Sequence, residues 1–131
     1  MAHKKTSEQL TRLELEIMKV LWETGPATVQ TVQQRLERKL AYTTVQTMLN
    51  LLCNKGKVKR TLKERAYKYR PAMSKSKEVS HMVGDIIDRL FGGSAESLVM
   101  SLVETSHLTP EKLSELANLI EQAKEEKNGK D

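Results

Sequence analysis

At Gly56 the apolar pattern of this chain changes from the period of a helix to the period of a strand. Before that point three helical stripes follow one another. Leu13, Ile17, Val20 and Leu21 share one face of the first, with Met18 and Trp22 widening it. Thr11 and Glu14 stand at capping-box spacing, Leu10 is placed as a hydrophobic staple, and Gly25-Pro26 ends the run. Thr28 is positioned to cap a second helix with Val29, Val32 and Leu36 inward and Gln30, Gln33, Gln34, Glu37 and Arg38 on its polar side. The third stripe, Val45, Met48, Leu49 and Leu52, ends at Gly56. Residues 57–62 then read as a strand, Lys63-Glu64-Arg65 as a turn and 66–70 as a second strand stopped by Pro71. Tyr67 and Tyr69 share one strand face, and Lys68 and Arg70 the other. Three helices followed by a two-stranded ribbon is the order of a winged helix-turn-helix.

Beyond the ribbon the pattern is helical again. Val79, Met82, Val83, Ile86, Ile87, Leu90 and Phe91 form a broad stripe ended by Gly92-Gly93. Ser94 can cap a helix bearing Leu98, Val99, Leu102 and Val103. Thr109 with Pro110 opens a last one bearing Leu113, Leu116, Ala117 and Ile120. The expectation is a mainly α chain in four parts: a flexible N-terminus (1–9), a winged-helix DNA-binding domain (10–72), a small three-helix dimerisation domain (73–124) and a disordered tail (125–131), where no periodic signal remains.

Charge divides the 131 residues in the same way. Residues 1–78 carry 17 Lys and Arg against seven Asp and Glu, whereas residues 79–131 carry five against ten. A basic half joined to an acidic half points to a polyanion as the first half's partner. Within 55–77 stand ten cations (Lys55, Lys57, Lys59, Arg60, Lys63, Arg65, Lys68, Arg70, Lys75 and Lys77) and one acid, Glu64. The solvent side of the third helix carries no formal charge. Thr43, Thr47, Asn50 and Asn54 lie opposite its apolar stripe, with Gln46 beside them. Gln46 and Asn50 suit bidentate pairing with adenine, and the Thr43 and Thr47 methyls suit thymine, so Thr43, Gln46, Thr47 and Asn50 are the expected base readers. The expected phosphate contacts are Tyr42, Thr44, Lys55, Lys59, Arg60, Lys63, Arg65 and Lys68.

These residues resemble the penicillinase-repressor family (BlaI/MecI type) of bacterial transcriptional regulators. The likeness runs from LTRLELEIMKVLWETGPATVQTV through YTTVQTMLNLLCNKGKVKR and ERAYKYRP to DRLFGGSAESLVMSLVE and LTPEKLSELANLI, about residues 10–122. It implies a homodimeric repressor that binds an inverted-repeat operator in double-stranded DNA. Thr43, Thr44, Gln46, Thr47 and Asn50 would then lie in the recognition helix. It also implies relief of repression when a membrane sensor metalloprotease triggers cleavage in the dimerisation domain, at the position occupied here by Ser101-Leu102. The chain departs from the family pattern in three places. Ser-Leu replaces Asn-Phe at that bond, Leu51 stands where many members have a basic residue, and the Cys-x-Cys of the copper-sensing branch is missing.

A dimer is also expected without the resemblance, because three helices in so few residues enclose little core and neither a metal nor a disulfide is available to supplement it. Ile86, Ile87, Leu90, Leu98, Leu102, Leu113, Leu116 and Ile120 are the expected interface. With Cys53 the lone cysteine, neither an internal disulfide nor a Cys-based zinc site can form. His3, His81 and His107 are scattered, so no metal and no cofactor is expected. No apolar run is long enough to span a membrane, and MAHKKTSEQL has no apolar stretch behind it, so a cytoplasmic location is expected. No glycine-rich phosphate loop, nucleophile elbow or His-Glu-x-x-His appears, so no enzyme is expected. Two alternatives stay open: a winged-helix protein–protein adaptor, towards which Leu51 leans, and an architectural protein that binds any duplex by charge.

Overall fold

A computed structural model describes residues 10–129, so the expected flexible N-terminus lies outside the described residues. The helices are α1 (Arg12–Thr24), α2 (Val29–Arg35) and α3 (Tyr42–Asn54). They are followed by β1 (Val58–Lys63), β2 (Ala66–Pro71), α4 (Lys75–Leu90), α5 (Ala95–Glu104) and α6 (Pro110–Gly129). Residues up to Met82 make one compact unit and those from Val83 a second.

In the first unit the expected stripes form the core. Ile17, Met18, Val20 and Leu21 of α1, Val29 and Val32 of α2 with Leu36 just past it, and Val45, Leu49 and Leu52 of α3 are buried together with Ala27, Val58 and Tyr69. Leu10, Leu13, Trp22, Met48 and Cys53 pack partly against them. The caps form as their spacing predicts. Glu14 N donates to Thr11 Oγ1 at 3.2 Å and Thr11 N to Glu14 Oε1 at 2.9 Å, while Thr31 N donates to Thr28 Oγ1 at 3.2 Å. Gly25, at φ +80°, turns the chain out of α1.

The wing pairs antiparallel from Val58↔Pro71 to Lys63↔Ala66, which leaves a two-residue turn, one shorter than the sequence suggests. Its residues, Glu64 and Arg65, both have positive φ (52° and 71°), the geometry that suits right-twisted strands and usually recruits Asn-Gly. The chain adopts it without those residues, and so bears backbone strain of about 1–2 kcal/mol per residue. Ala27 adds a further short edge: its N donates to Tyr69 O at 2.9 Å and Tyr69 N to its O at 2.7 Å. Trp22 Nε1 donates to Met73 O at 3.1 Å, which ties α1 to the segment after the wing.

The first unit extends past residue 72 because Glu78, in the first turns of α4, is buried against Lys57 at the root of β1. Lys57 Nζ lies 3.1 Å from Glu78 Oε2, and both side chains are almost wholly enclosed.

In the second unit Ser97 N donates to Ser94 Oγ at 3.1 Å and Lys112 N to Thr109 Oγ1 at 3.0 Å, so both caps form. Gly92 and Gly93, at φ 57° and 86°, close α4. Of the expected disordered tail (125–131), residues 125–129 continue α6 and residues 130–131 lie outside the described residues. Glu125, Glu126 and Lys127 are good helix formers, and a helix exposed all round shows no apolar period.

Candidate nucleic-acid interface

α3 is packed through Val45, Leu49 and Leu52, which turns Thr43, Thr44, Gln46, Thr47, Leu51 and Asn54 to solvent. Among the described residues, no hydrogen bond engages the side chains of Thr43, Gln46 or Thr47. Their donors and acceptors are free for a ligand. The helix starts at Ala41 without a side-chain cap, so its first backbone N–H groups have no side-chain acceptor there.

Asn50 differs from the other three expected readers. It is half-buried, and its Oδ1 accepts from Arg60 Nη1 at 3.1 Å and from Tyr69 Oη at 3.3 Å. Its amide oxygen is therefore committed to the wing. Arg60 in turn lies 4.2 Å from the Tyr67 ring centroid, and the Tyr67 and Tyr69 rings are 6.3 Å apart. One residue of α3 and three of the wing thus make a single junction between helix and ribbon. A cation over an aromatic face adds roughly 0.5–1 kcal/mol at such a site.

Strand alternation sorts the wing cations. Lys59, Lys63, Lys68 and Arg70 share one face, Arg60 lies on the other, and Arg65 sits in the turn. Lys59 stands directly opposite Arg70, a like-charge pair that weakens an isolated ribbon. Arg70, absent from the expected contacts, donates to Thr61 Oγ1 at 3.2 Å and belongs to this basic face. Its strand parity was the available signal.

Two of the ten cations are paired with buried carboxylates. Lys55, expected at a phosphate, instead places Nζ 2.8 Å from Oε1 of the buried Glu14, so the capping glutamate of α1 also holds the end of α3. Lys57 is buried against Glu78. Burial alone would raise the Glu14 pKa, but the Lys55 ammonium and the Thr11 backbone and hydroxyl groups outweigh it and hold the carboxyl below its ordinary value. Burial pushes the Cys53 thiol up, against an opposing pull from the Arg60 guanidinium. Cys53 packs partly against the core.

The second unit presents a different surface. No residue of α5 or α6 is buried. Of the expected interface, Leu90 is 73% exposed, Ile120 61%, and Ile86, Leu113 and Leu116 are also open, while Ile87, Leu98 and Leu102 are half-buried. Met100 and Leu119, outside the expected interface, are also exposed. Ser101 and Leu102 lie inside α5, half-buried, so a protease could reach their bond only after the helix unwinds. Among the described residues no cluster of His, Cys, Asp and Glu could hold a metal ion, and no helix is long and apolar enough to cross a membrane.

Comparison with known proteins fits this geometry. The penicillinase repressor of Bacillus licheniformis is 28% identical over 125 residues, covering 94% of this chain and 98% of that one. The transcriptional regulator BlaI of Mycobacterium tuberculosis is 35% identical over 103 residues, covering 73% and 75%. A solution structure of monomeric B. licheniformis BlaI with the blaP half-operator is 31% identical, covers 53% of this chain and 87% of that one, and has a TM-score of 0.47. A probable transcriptional regulator from Pseudomonas aeruginosa, 14% identical with a TM-score of 0.50 over 88% of this chain and 80% of its own, shares the fold. The sequence profile of the penicillinase repressor family matches residues 10–122, and the chain belongs to that family.

Proposed function

We propose that this chain is a sequence-specific DNA-binding transcriptional repressor that acts as a homodimer on an inverted-repeat operator. The observation that carries the reading is the outward face of α3. It holds free hydrogen-bonding groups and no formal charge, and it is locked beside a wing with cations on both faces. Charged groups on the wing suit phosphates, and uncharged ones on the helix suit base edges. Thr43, Gln46 and Thr47 read bases. Asn50 positions the wing through Arg60 and Tyr69. Tyr42, Thr44, Lys59, Arg60, Lys63, Arg65 and Lys68, joined by Arg70, meet the sugar-phosphate backbone.

The exposed leucines and isoleucines of the second unit support the dimer, since α4, α5 and α6 leave much of their apolar surface open. A two-fold pair sets two recognition helices about one DNA turn, or a multiple, apart. Relief follows from loss of the dimer, and family resemblance supports a membrane sensor metalloprotease as its trigger.

Selection from a random duplex pool at about 0.15 M salt tests the reading. Enrichment of an inverted repeat with fixed half-site spacing is expected. Retention without enrichment would instead favour a charge-only architectural protein, and no retention a protein–protein adaptor.

A further inference from the structure

Leu51 is 43% exposed on α3, on the side of the helix away from the Val45–Leu49–Leu52 core. A single exposed leucine on a charged surface needs no explanation. Leu51 differs because no residue of α3 carries a formal charge, and because it continues a line already drawn by two others. Thr43, Thr47 and Leu51 are spaced i, i+4, i+8, so they form one row along the solvent face, and each carries at least one terminal methyl group. Neighbours in that row are about 6 Å apart along the helix axis, close to two base-pair rises.

The major groove offers such a row one apolar feature, the 5-methyl group of thymine. Resting on the DNA-reading function above, we propose that Thr43, Thr47 and Leu51 select operators by thymine 5-methyl groups, with Leu51 the specificity-determining member. Gln46, on the wing-facing flank of the same helix, supplies the hydrogen-bonded adenine contact. The preferred half-site is therefore rich in A·T pairs whose thymines are read by shape and apolar contact. Leu51 has no polar atom with which to distinguish bases in any other way.

The probe is the duplex recovered by selection, resynthesised with each thymine replaced singly by uracil, which removes the 5-methyl and nothing else. Wild-type protein is expected to lose about fourfold in affinity at one or more positions per half-site. Leu51→Ala should be insensitive to uracil at one of these positions and retain its sensitivity at the rest. Its thermal midpoint should match that of the wild type, because the side chain lies outside the core. A wild type indifferent to every uracil replacement would overturn the proposal while leaving the DNA-binding function standing. So would a Leu51→Ala variant that keeps every sensitivity. Failure to enrich any duplex would overturn both.

Discussion

The two units of this chain treat the same sequence pattern in opposite ways. In the first, the apolar stripes of α1, α2 and α3 close on one another and on the root of the wing, leaving Ile17, Leu21, Val32, Val45, Leu49 and Leu52 without solvent exposure. In the second, stripes of similar spacing on α4, α5 and α6 leave Leu90, Leu119 and Ile120 mostly open. Helical periodicity announces a face that will be buried, but not whether the partner is the same chain or another copy. The proposed division is that the first unit holds its own stability and the second gains its stability by association.

The largest expected effect comes from breaking the ion pair at the edge of the first unit. Glu78→Ala leaves the Lys57 ammonium buried without a partner and should cost about 3–5 kcal/mol. Urea unfolding followed by Trp22 fluorescence reads it, because Trp22 belongs to that unit. A loss under about 1 kcal/mol would mean that the pair is solvated.

The complementary change is Leu116→Asp in the second unit. It should leave the Trp22 transition within about 0.5 kcal/mol of wild type. The same variant should sediment as a monomer and lose on the order of a hundredfold in operator affinity as the half-sites are uncoupled. An unchanged oligomer would remove this face from the interface.

Within the first unit, helix and wing can be separated in the same spirit. Gln46→Ala should cost about 1–3 kcal/mol on the selected operator and relax preference at one base pair. Asn50→Ala should weaken all duplexes by a similar factor without relaxing any position, since it releases Arg60 and Tyr69 rather than a base. A preference lost at one position in Asn50→Ala would return Asn50 to the base readers.

These residues also show what the sequence could reveal. Core stripes and caps were legible because periodicity and Thr-x-x-Glu spacing are local signals. Asn50 and Lys55 were placed on the right elements, but their partners, Arg60 with Tyr69 and Glu14, are 10, 19 and 41 residues away along the chain. No local pattern encodes such pairings. The Ala27–Tyr69 pairing escaped notice because a one-residue strand has no period. Residues 125–129 give no signal for a related reason, as a fully solvated helix shows no apolar period either.

Two smaller effects sharpen the first unit's independence. The Glu14 carboxyl is held below its ordinary value in the folded state, so the stability it contributes is fully present above the unfolded glutamate value. That contribution is lost as pH falls through the lowered folded value. Glu14→Gln should flatten the acid limb of the unfolding profile, and an unchanged slope would show that Lys55 does not hold the carboxyl in solution. Glu64→Asn, at a positive-φ turn position, should raise stability by roughly 0.5–1 kcal/mol in the same urea assay. A decrease would mean that the turn differs in solution from the two-residue form.

The division of labour between the units is tested most directly by the mass of the complex formed on a selected operator, measured by sedimentation equilibrium. Two chains on one inverted repeat, falling to one on an isolated half-site duplex, is the predicted result. One chain on the full repeat, or a number of chains that grows with duplex length whatever its sequence, would contradict it.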